Sequence, residues 1–387
     1  MTIVVGLIFA AIVFPALCQE ILVFVVTIIL AAVVGWIDDR TQLSSLKKVL
    51  FMFITGLPLF IANLPFIGFI VVSNPIIPVL GRLQLTIIYP LLLPIFIMIM
   101  TNTVNMLEGY NGEGSGTTSI ALLFMIFASI LLGSSQGVIY GVIVFGGLLA
   151  FYLFNRYPAK IFPGDTGTLV IGASLALIGI FGSIEVILVL VMLHQIFNSF
   201  YVIASVRGFK ESHTINKADI WLDEEDLIHA SEERDAPLTL PRLLVATGPL
   251  SEKSLVSHIM GLSVIAGVFS SLTALFIFPF FSPSNYLKII GVICISFLIV
   301  LLIVVLLPKI LGISLIMGVL LGIAWIFLII IDRFIVDKPV NWLLGGLIGI
   351  VILLFWYVIT VVYFWRTLRR HQINIPDQNS ERNSEAT

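Results

Sequence analysis

Long apolar stretches, separated by short polar segments, run along almost the whole chain. Each of them approaches the roughly 20 residues that an α-helix needs to cross the hydrocarbon core of a bilayer. They lie at 2–18, 20–37, 49–63, 85–101, 118–133, 137–154, 168–183, 185–206, 258–281, 287–307, 310–331 and 340–365. The pattern predicts an all-α, polytopic transmembrane helix bundle of roughly 11–12 spans.

Three further segments are predicted to lie outside the spans. Residues 64–84 combine prolines with short β-branched runs, which predicts an outer loop with a small β-hairpin. Residues 207–257 form one long loop, predicted to be a cytoplasmic subdomain with the acidic run 223–226 on a solvated helix face. The polar tail 371–387 is expected to be disordered.

Composition supports a membrane protein. Hydrophobic residues make up 59% of the 387 positions and charged residues only 11%, whereas soluble domains carry about 25% charged residues. The net charge of −2 offers no basic field for nucleic acid. We therefore expect a multi-pass membrane protein without a nucleic-acid partner, in the plasma membrane if prokaryotic or in the endoplasmic reticulum membrane if eukaryotic.

The distribution of charge predicts the orientation. Under this span order, 16 of the 20 Lys and Arg residues fall on one side of the membrane, which the positive-inside rule makes cytoplasmic. Counting spans places the polar segments 38–48, 101–117, 155–167 and 207–257 on that same face. The candidate site therefore faces the cytoplasm.

Adjacent carboxylates at Asp38 and Asp39 close the second apolar stretch. Acids at a membrane edge are costly unless they are solvated, paired or bound to metal. The pair is either a solvated helix cap or part of a site. Lys48 follows and is either a phosphate contact or a positive-inside anchor.

A polar helix face ends the fourth stretch. Asn102, Asn105 and Glu108 are spaced three apart and so share one face, with oxygen atoms of the kind that Mg²⁺ prefers. The glycines that follow, beginning at Gly109 and flanking Asn111, let the backbone approach a ligand closely. This combination is a more specific signal than a glycine-rich turn alone.

A third motif, Phe-Pro-Gly-Asp-Thr, places Asp165 at the start of the seventh stretch. This carboxylate is either an N-cap or a metal ligand. Arg156, which precedes it, could bind phosphate or a lipid headgroup. Together the three motifs suggest phosphate bridged by Mg²⁺, with Mn²⁺ as a substitute.

These motifs, in this order, resemble the polyprenyl-phosphate N-acetylhexosamine-1-phosphate transferase family, over roughly residues 1–280. The sequence Asn-Arg-Tyr-Pro at 155–158 and Leu-Pro-Arg at 240–242 favour the dolichyl-phosphate branch. The resemblance implies the reaction of a UDP-N-acetylhexosamine, such as UDP-GlcNAc, with polyprenyl or dolichyl phosphate. The products are UMP and a lipid-diphosphate sugar, in the first membrane step of a glycan pathway.

Residue roles follow from the same resemblance. It implies catalytic roles for Asp38, Asp39 and Lys48, metal binding by Asn105 and Asp165, and substrate binding by Asn102, Glu108, Gly109, Asn111, Arg156 and Arg242. A lipid phosphate needs little help from a general base near neutral pH, which argues against a strict base role for either Asp. A homodimer is left open.

Two differences from the family define the alternatives. The chain begins at what looks like the second family span, so an upstream span is expected to be missing from residues 1–281, the transferase domain. Residues 282–370 add helices without a family counterpart.

A catalytically inactive subunit or scaffold is one alternative function. A secondary transporter is the other, although the acids cluster at one face and no inverted repeat is visible.

Overall fold

The computed structural model describes residues 1–78, 81–82, 88–208, 217–277, 286–335 and 342–373. The helices in these residues are α1 (Thr2–Val13), α2 (Cys18–Thr41), α3 (Ser45–Thr55), α4 (Leu57–Ala62), α5 (Ile88–Leu107), α6 (Glu113–Leu132), α7 (Ser135–Asn155), α8 (Gly164–Phe181), α9 (Glu185–Val191), α10 (Leu193–Val206), α11 (Leu240–Val245), α12 (Glu252–Ile277), α13 (Tyr286–Leu306), α14 (Leu311–Ile335) and α15 (Trp342–Ile373). The strands are β1 (Ile76–Ile77), β2 (Gly81–Arg82), β3 (Ile220–Leu222) and β4 (Ile228–Ala230). The expected all-α polytopic class is confirmed.

Within the described residues, ten helices are long and apolar enough to cross a membrane, or up to eleven if the bent α9–α10 pair is one span. The first predicted span is shorter than expected, because helix α1 stops at Val13 ahead of Pro15. Proline cannot continue the helical hydrogen bonding, so the chain turns there before α2 begins.

Helix α8 is the central helix, packed between α2 and α5. Two glycines allow this close packing. A Cβ atom at Gly35 of α2 would lie 2.5 Å from the Asp165 carbonyl oxygen, and one at Gly172 of α8 would lie 2.5 Å from the Thr101 Cα. Small residues at such crossings let backbones approach within the membrane. The crossings hold the start of α8 beside the end of α2.

Helices α9 and α10 meet at an angle of 69°. The break redirects α10 so that it packs against α5. Its buried face carries His194, Gln195 and Asn198. Ser263 shares a hydrogen bond of 2.9 Å with the His194 ring, and Gln195 donates to Thr117 at 2.8 Å.

The outer hairpin predicted in residues 64–84 is present as the antiparallel pair β1–β2. In the long loop, however, the run 223–226 is not a helix face. It forms the turn between the antiparallel strands β3 and β4, where Asp226 has a φ of 58°. The Asp223 carboxylate accepts hydrogen bonds from the Glu225 and Leu227 amides, an Asx-type arrangement that competes with helix formation.

The C-terminal helices do not stand apart from the rest. Trp356 and Phe364 of α15 and Met317 of α14 share a buried core with residues of α10, α11 and α12. Helix α15 extends to Ile373, so the first residues of the predicted disordered tail are helical. The remainder, 374–387, lies outside the described residues.

Candidate active site

A cavity of about 960 Å³ opens where the ends of helices α2, α3, α5 and α8 meet the long loop. One side, which we name the membrane wall, is formed by helix ends and the turns beside them. It contains Asp38, Lys48, Asn105, Glu108, Gly109 and Asp165. The opposite side, the loop wall, contains Lys217, Asp219, Pro237, Thr239 and Pro241.

Lys48 lies at the centre of the membrane wall. Its Nζ is 2.7 Å from Asp38 Oδ2 and 2.9 Å from Asp165 Oδ2. Three helices thus converge on one ammonium group that is only 12% exposed. The Asp38 carboxylate also accepts from the Leu43 amide at 2.8 Å, which fixes its direction.

Asp39 points elsewhere, although it adjoins Asp38. Its carboxylate accepts hydrogen bonds from the Asp165 and Thr166 amides, at 2.7 and 3.0 Å, and from the Thr166 hydroxyl at 2.6 Å. The first amides of a helix lack partners within it, so Asp39 caps α8 from α2. The two neighbouring acids therefore have different contacts: Asp38 lines the cavity, and Asp39 positions Asp165.

Asn105 completes the contacts of Asp165. Its amide nitrogen donates to Asp165 Oδ1 at 2.5 Å and to Thr168 Oγ1 at 2.8 Å. Asn105 comes from α5 and Asp165 from α8, so the contact depends on the close α5–α8 packing. The Asn105 amide oxygen and the two carboxylates supply hard oxygen donors at one end of the cavity.

The glycine-rich turn after α5 is held by carboxylates. Glu113, which is fully buried, accepts from the Gly109 and Tyr110 amides at 3.1 and 3.2 Å. Glu252 of α12 accepts from both the main-chain and side-chain nitrogens of Asn111. Sequence analysis missed Glu113 and Glu252. The signal available for Glu113 was an acid in the glycine-rich segment that precedes the apolar stretch 118–133.

Glu108 lies just beyond α5, with its carboxylate packed against the first turn of α6. A Cβ atom at Gly114 would approach Glu108 Oε2 to 1.7 Å, so only glycine fits there. Burial raises the pKa of Glu108 to about 7. This carboxyl can therefore change its charge near neutral pH.

The loop wall is joined to the bundle through α10. Asn198 accepts from the Leu240 amide at 2.8 Å and donates to the Met106 carbonyl at 3.1 Å. Within the wall, the Thr239 hydroxyl donates to Asp219 at 2.5 Å. Lys217 is 2.5 Å from Glu233 and 3.7 Å from Asp235, and neither of these acids lines the cavity.

Arg242 is buried behind the loop wall. Its guanidinium donates to the carbonyls of Ser231, Glu233, Ala236 and Pro237, at 2.6 to 3.1 Å, and stacks 4.7 Å from the Phe364 ring centroid. Burial lowers its pKa, and the Asp219 carboxylate opposes this shift. A guanidinium retains its charge in proteins, so this is a buried cation that shapes the loop.

The structure divides the predicted site residues into two sets. Those brought together around the cavity are Asp38, Lys48, Asn105, Glu108, Gly109 and Asp165. Those that do not line it are Asp39, Asn102, Asn111, Arg156 and Arg242. Asn102 donates to the Met106 sulfur, and Asn111 accepts from the Ala159 amide at 2.7 Å. Arg156 directly follows α7 and is exposed. Their roles in binding stay predictions.

The charges around the cavity bear on whether a divalent cation fits. Four acids line it (Asp38, Glu108, Asp165 and Asp219) against two lysines (Lys48 and Lys217). No group of three or more His, Cys, Asp or Glu side chains that could hold a metal occurs in the described ranges. Mg²⁺ commonly uses one or two protein carboxylates together with substrate phosphates, so this oxygen donor set suits it.

Comparison with known proteins matches part of this chain to a family and to several relatives. The model of glycosyl transferase family 4 matches residues 21–183, a range that includes most of α2 and all of α3, α5 and α8. A Methanocaldococcus jannaschii protein, provisionally named a glycosyltransferase, is 29% identical over 65% of this chain and 77% of its own length.

Two further relatives have more specific names. A Sulfolobus acidocaldarius protein is provisionally named a UDP-N-acetylglucosamine–dolichyl-phosphate N-acetylglucosaminephosphotransferase. It is 28% identical over 64% of this chain and 74% of its own length. The phospho-N-acetylmuramoyl-pentapeptide-transferase of Carboxydothermus hydrogenoformans is 30% identical over 52% of this chain and 66% of its own length. The chain belongs to the polyprenyl-phosphate hexosamine-1-phosphate transferase family.

Proposed function

We propose that this protein transfers a sugar 1-phosphate from a UDP-sugar to a polyprenyl phosphate and releases UMP. The observation that carries the proposal is the Asp38–Lys48–Asp165 cluster in an acid-rich cavity at the ends of membrane helices. Membrane helices give a lipid phosphate lateral access, and the cavity faces the water from which a nucleotide sugar would come. The name of the Sulfolobus relative supports both substrate classes.

The charge balance indicates how two anionic substrates could share this cavity. With more acids than lysines around it, phosphate groups would be repelled unless a cation accompanied them. Asn105, Asp165 and Asp38 would hold Mg²⁺, which neutralises phosphate charge and aligns the reacting groups when bound.

The reaction would proceed by displacement at phosphorus. An oxygen of the lipid phosphate bonds to the β-phosphorus of the UDP-sugar, the bond from that phosphorus to the bridging oxygen breaks, and UMP leaves with the electron pair. Lys48 would donate to the diphosphate, while Asp38 orients Lys48. Asp39 would keep Asp165 in place by capping α8. Positioning and charge neutralisation are the main contributions of a protein to phosphoryl transfer.

We further propose N-acetylglucosamine as the sugar and dolichyl phosphate or another polyprenyl phosphate as the acceptor. The support is the name of the Sulfolobus relative, together with the Asn-Arg-Tyr-Pro and Leu-Pro-Arg sequences at 155–158 and 240–242. We also propose that the cavity faces the cytoplasm. On that side it would have access to nucleotide sugars.

UMP release by the purified full-length chain in nanodiscs tests this function. We expect release only when UDP-GlcNAc, polyprenyl phosphate and Mg²⁺ are all present. Asp165→Asn should lower the rate at least 100-fold, since about 3 kcal/mol of transition-state stabilisation corresponds to that factor. The matched control is Asp226→Asn, an exposed aspartate in the β3–β4 turn whose left-handed backbone asparagine also tolerates.

The possible outcomes test the metal, the sugar and the transferase activity separately. An Asp165→Asn protein with the wild-type rate, or full activity in the presence of EDTA, would refute the metal assignment. Release of UMP only from UDP-N-acetylmuramoyl-pentapeptide would refute the sugar assignment and leave the transferase standing. No UMP from any UDP-sugar tested with a well-folded chain would refute the proposed function.

A further inference from the structure

A second cavity, of about 550 Å³, lies between the long loop and the last turns of α15. We name it the basic pocket. Its lining residues are Glu232 and Arg234 of the loop and Val361, Val362, Trp365, Arg366, Leu368 and Arg369 of α15. The basic pocket is separate from the candidate active site, with which it shares no lining residue.

Three guanidinium groups line the basic pocket, those of Arg234, Arg366 and Arg369. All three residues are exposed. In the described part of the chain, no salt bridge joins any of them to an acid. The lining carries these three cations against one acid, Glu232, so its formal charge is positive and an anion placed among the arginines would be stabilised. Arginine also suits phosphate, because its planar fork can donate two parallel hydrogen bonds.

The C-terminal part of a candidate membrane span lines the basic pocket. Residues 350–371 of α15 form a candidate span, and Trp365 stands near its polar end, where tryptophan is typical of the membrane–water interface. Val361 and Val362 continue the pocket toward the apolar part of the helix. The pocket therefore joins a charged upper part to an apolar lower part, as a phospholipid joins a headgroup to acyl chains.

Contacts behind the basic pocket hold its two sides together. Arg242 donates to the carbonyls of Ser231 and Glu233, which flank the pocket residue Glu232. The same guanidinium stacks on Phe364, the neighbour of Trp365 on α15. The loop side and the helix side of the pocket are thus fixed by one buried side chain, so the pocket is preformed.

We propose that the basic pocket binds the phosphate-bearing headgroup of an anionic phospholipid. Arg366 and Arg369 donate to the lipid phosphate from α15 and Arg234 donates from the loop, while the acyl chains lie along Val361 and Val362. The loop segment that begins at the pocket continues to Pro237 and Thr239 of the loop wall. A bound lipid would therefore steady the wall of the active-site cavity.

Lipid retention by the full-length chain tests this site. The chain is purified in a neutral detergent, incubated with phosphatidylglycerol or phosphatidylcholine, and analysed by native mass spectrometry. We expect preferential retention of phosphatidylglycerol, weakened about 25-fold in the double variant Arg366→Gln/Arg369→Gln, because each basic residue near a lipid surface contributes about a factor of five. Arg370→Gln is the matched control, since Arg370 is an exposed neighbour that does not line the pocket.

The arms of the experiment separate a lipid from a soluble anion. Phosphatidylglycerol should raise the thermal unfolding midpoint of the wild type, and inorganic phosphate at the same concentration should not. Equal stabilisation by inorganic phosphate would overturn the lipid assignment, and equal lipid retention by the double variant and Arg370→Gln would overturn the site. Should the double variant fail to fold, Arg234→Gln on the loop gives the same test, and undiminished retention there would contradict the proposal.

Discussion

The membrane wall and the loop wall of the cavity stabilise their charged side chains through different partners. In the membrane wall, Lys48 is neutralised by Asp38 and Asp165, and each of the three comes from a different helix. In the loop wall, Arg242 is buried behind the surface and its guanidinium is satisfied by backbone carbonyls. The ion-paired charges of the membrane wall thus face the cavity, whereas the buried cation behind the loop wall turns away from it, although Lys217 and Asp219 of the loop wall also line the cavity.

This difference distinguishes charged residues that could take part in the reaction from a charged residue that maintains the loop conformation. A charge that is paired across helices can exchange its partners for a substrate, because the substrate can replace one ion pair with another. A guanidinium bonded to the backbone has no such freedom, because its partners are fixed by the loop. We therefore expect changes in the membrane wall to affect the rate of reaction, and changes behind the loop wall to affect folding and substrate affinity.

Lys48→Met should have the largest effect. The substitution removes the cation that lies between two carboxylates, which leaves two like charges close together. Losing one partner of a largely buried ion pair costs on the order of 3 kcal/mol. We expect the rate of UMP release to fall at least 100-fold at saturating substrate, measured in nanodiscs with Mg²⁺ present.

Lys47→Met is the control for this variant, because Lys47 is the adjacent, exposed lysine and does not line the cavity. It should keep a rate close to that of the wild type. Equal losses in the two variants would mean that Lys48 acts only as a general membrane-surface charge, and the contrast between the walls would then fail.

Arg242→Gln should lower stability and substrate affinity more than it lowers kcat. The substitution removes a buried guanidinium with contacts to four backbone carbonyls, and glutamine cannot reach all of them. We expect the free energy of unfolding to fall by about 3 kcal/mol, with faster proteolysis of residues 217–241. In kinetic assays the KM for the UDP-sugar should rise more than kcat falls, because Arg242 does not line the cavity.

Arg370→Gln, an exposed arginine of α15, controls for loss of a positive charge. A well-folded Arg242→Gln protein with normal KM and a kcat reduced 100-fold would contradict the division between the walls. It would instead give Arg242 the substrate contact that the family resemblance implied.

The membrane wall could be anticipated from sequence more fully than the loop wall. Apolar length alone identifies the helices α2, α5 and α8, and span parity places Asp38, Asn105 and Asp165 at one face. Their proximity then follows from helix packing at that face. The catalytic and metal-binding roles of these residues remain predictions that the experiments above address.

Other features depended on tertiary contacts that no local pattern contains. Asp38 and Asp39 are identical in type and adjacent, and only the packing of α2 against α8 decides that one faces the cavity and the other caps a helix. The direction of Arg242 depends in the same way on Phe364, which is more than 100 positions away in sequence. The acidic run 223–226 resembles a solvated helix face in sequence, yet the Asp223 side chain favours a turn.

The smallest predicted effect distinguishes these two adjacent acids. Asp39→Ala removes the acceptor of three hydrogen bonds at the start of α8, and the loss of a cap costs about 1–2 kcal/mol. We expect that decrease in the free energy of unfolding and a roughly tenfold lower kcat, since Asp165 is less firmly positioned. Asp39→Asn, which keeps one acceptor oxygen, should recover part of both losses. Asp38→Asn should instead lower kcat far more than it lowers stability, because Asp38 lines the cavity in which the proposed reaction would take place. If Asp39→Ala lost as much activity as Asp38→Asn with unchanged stability, Asp39 would belong to the chemistry of the membrane wall and not to its support.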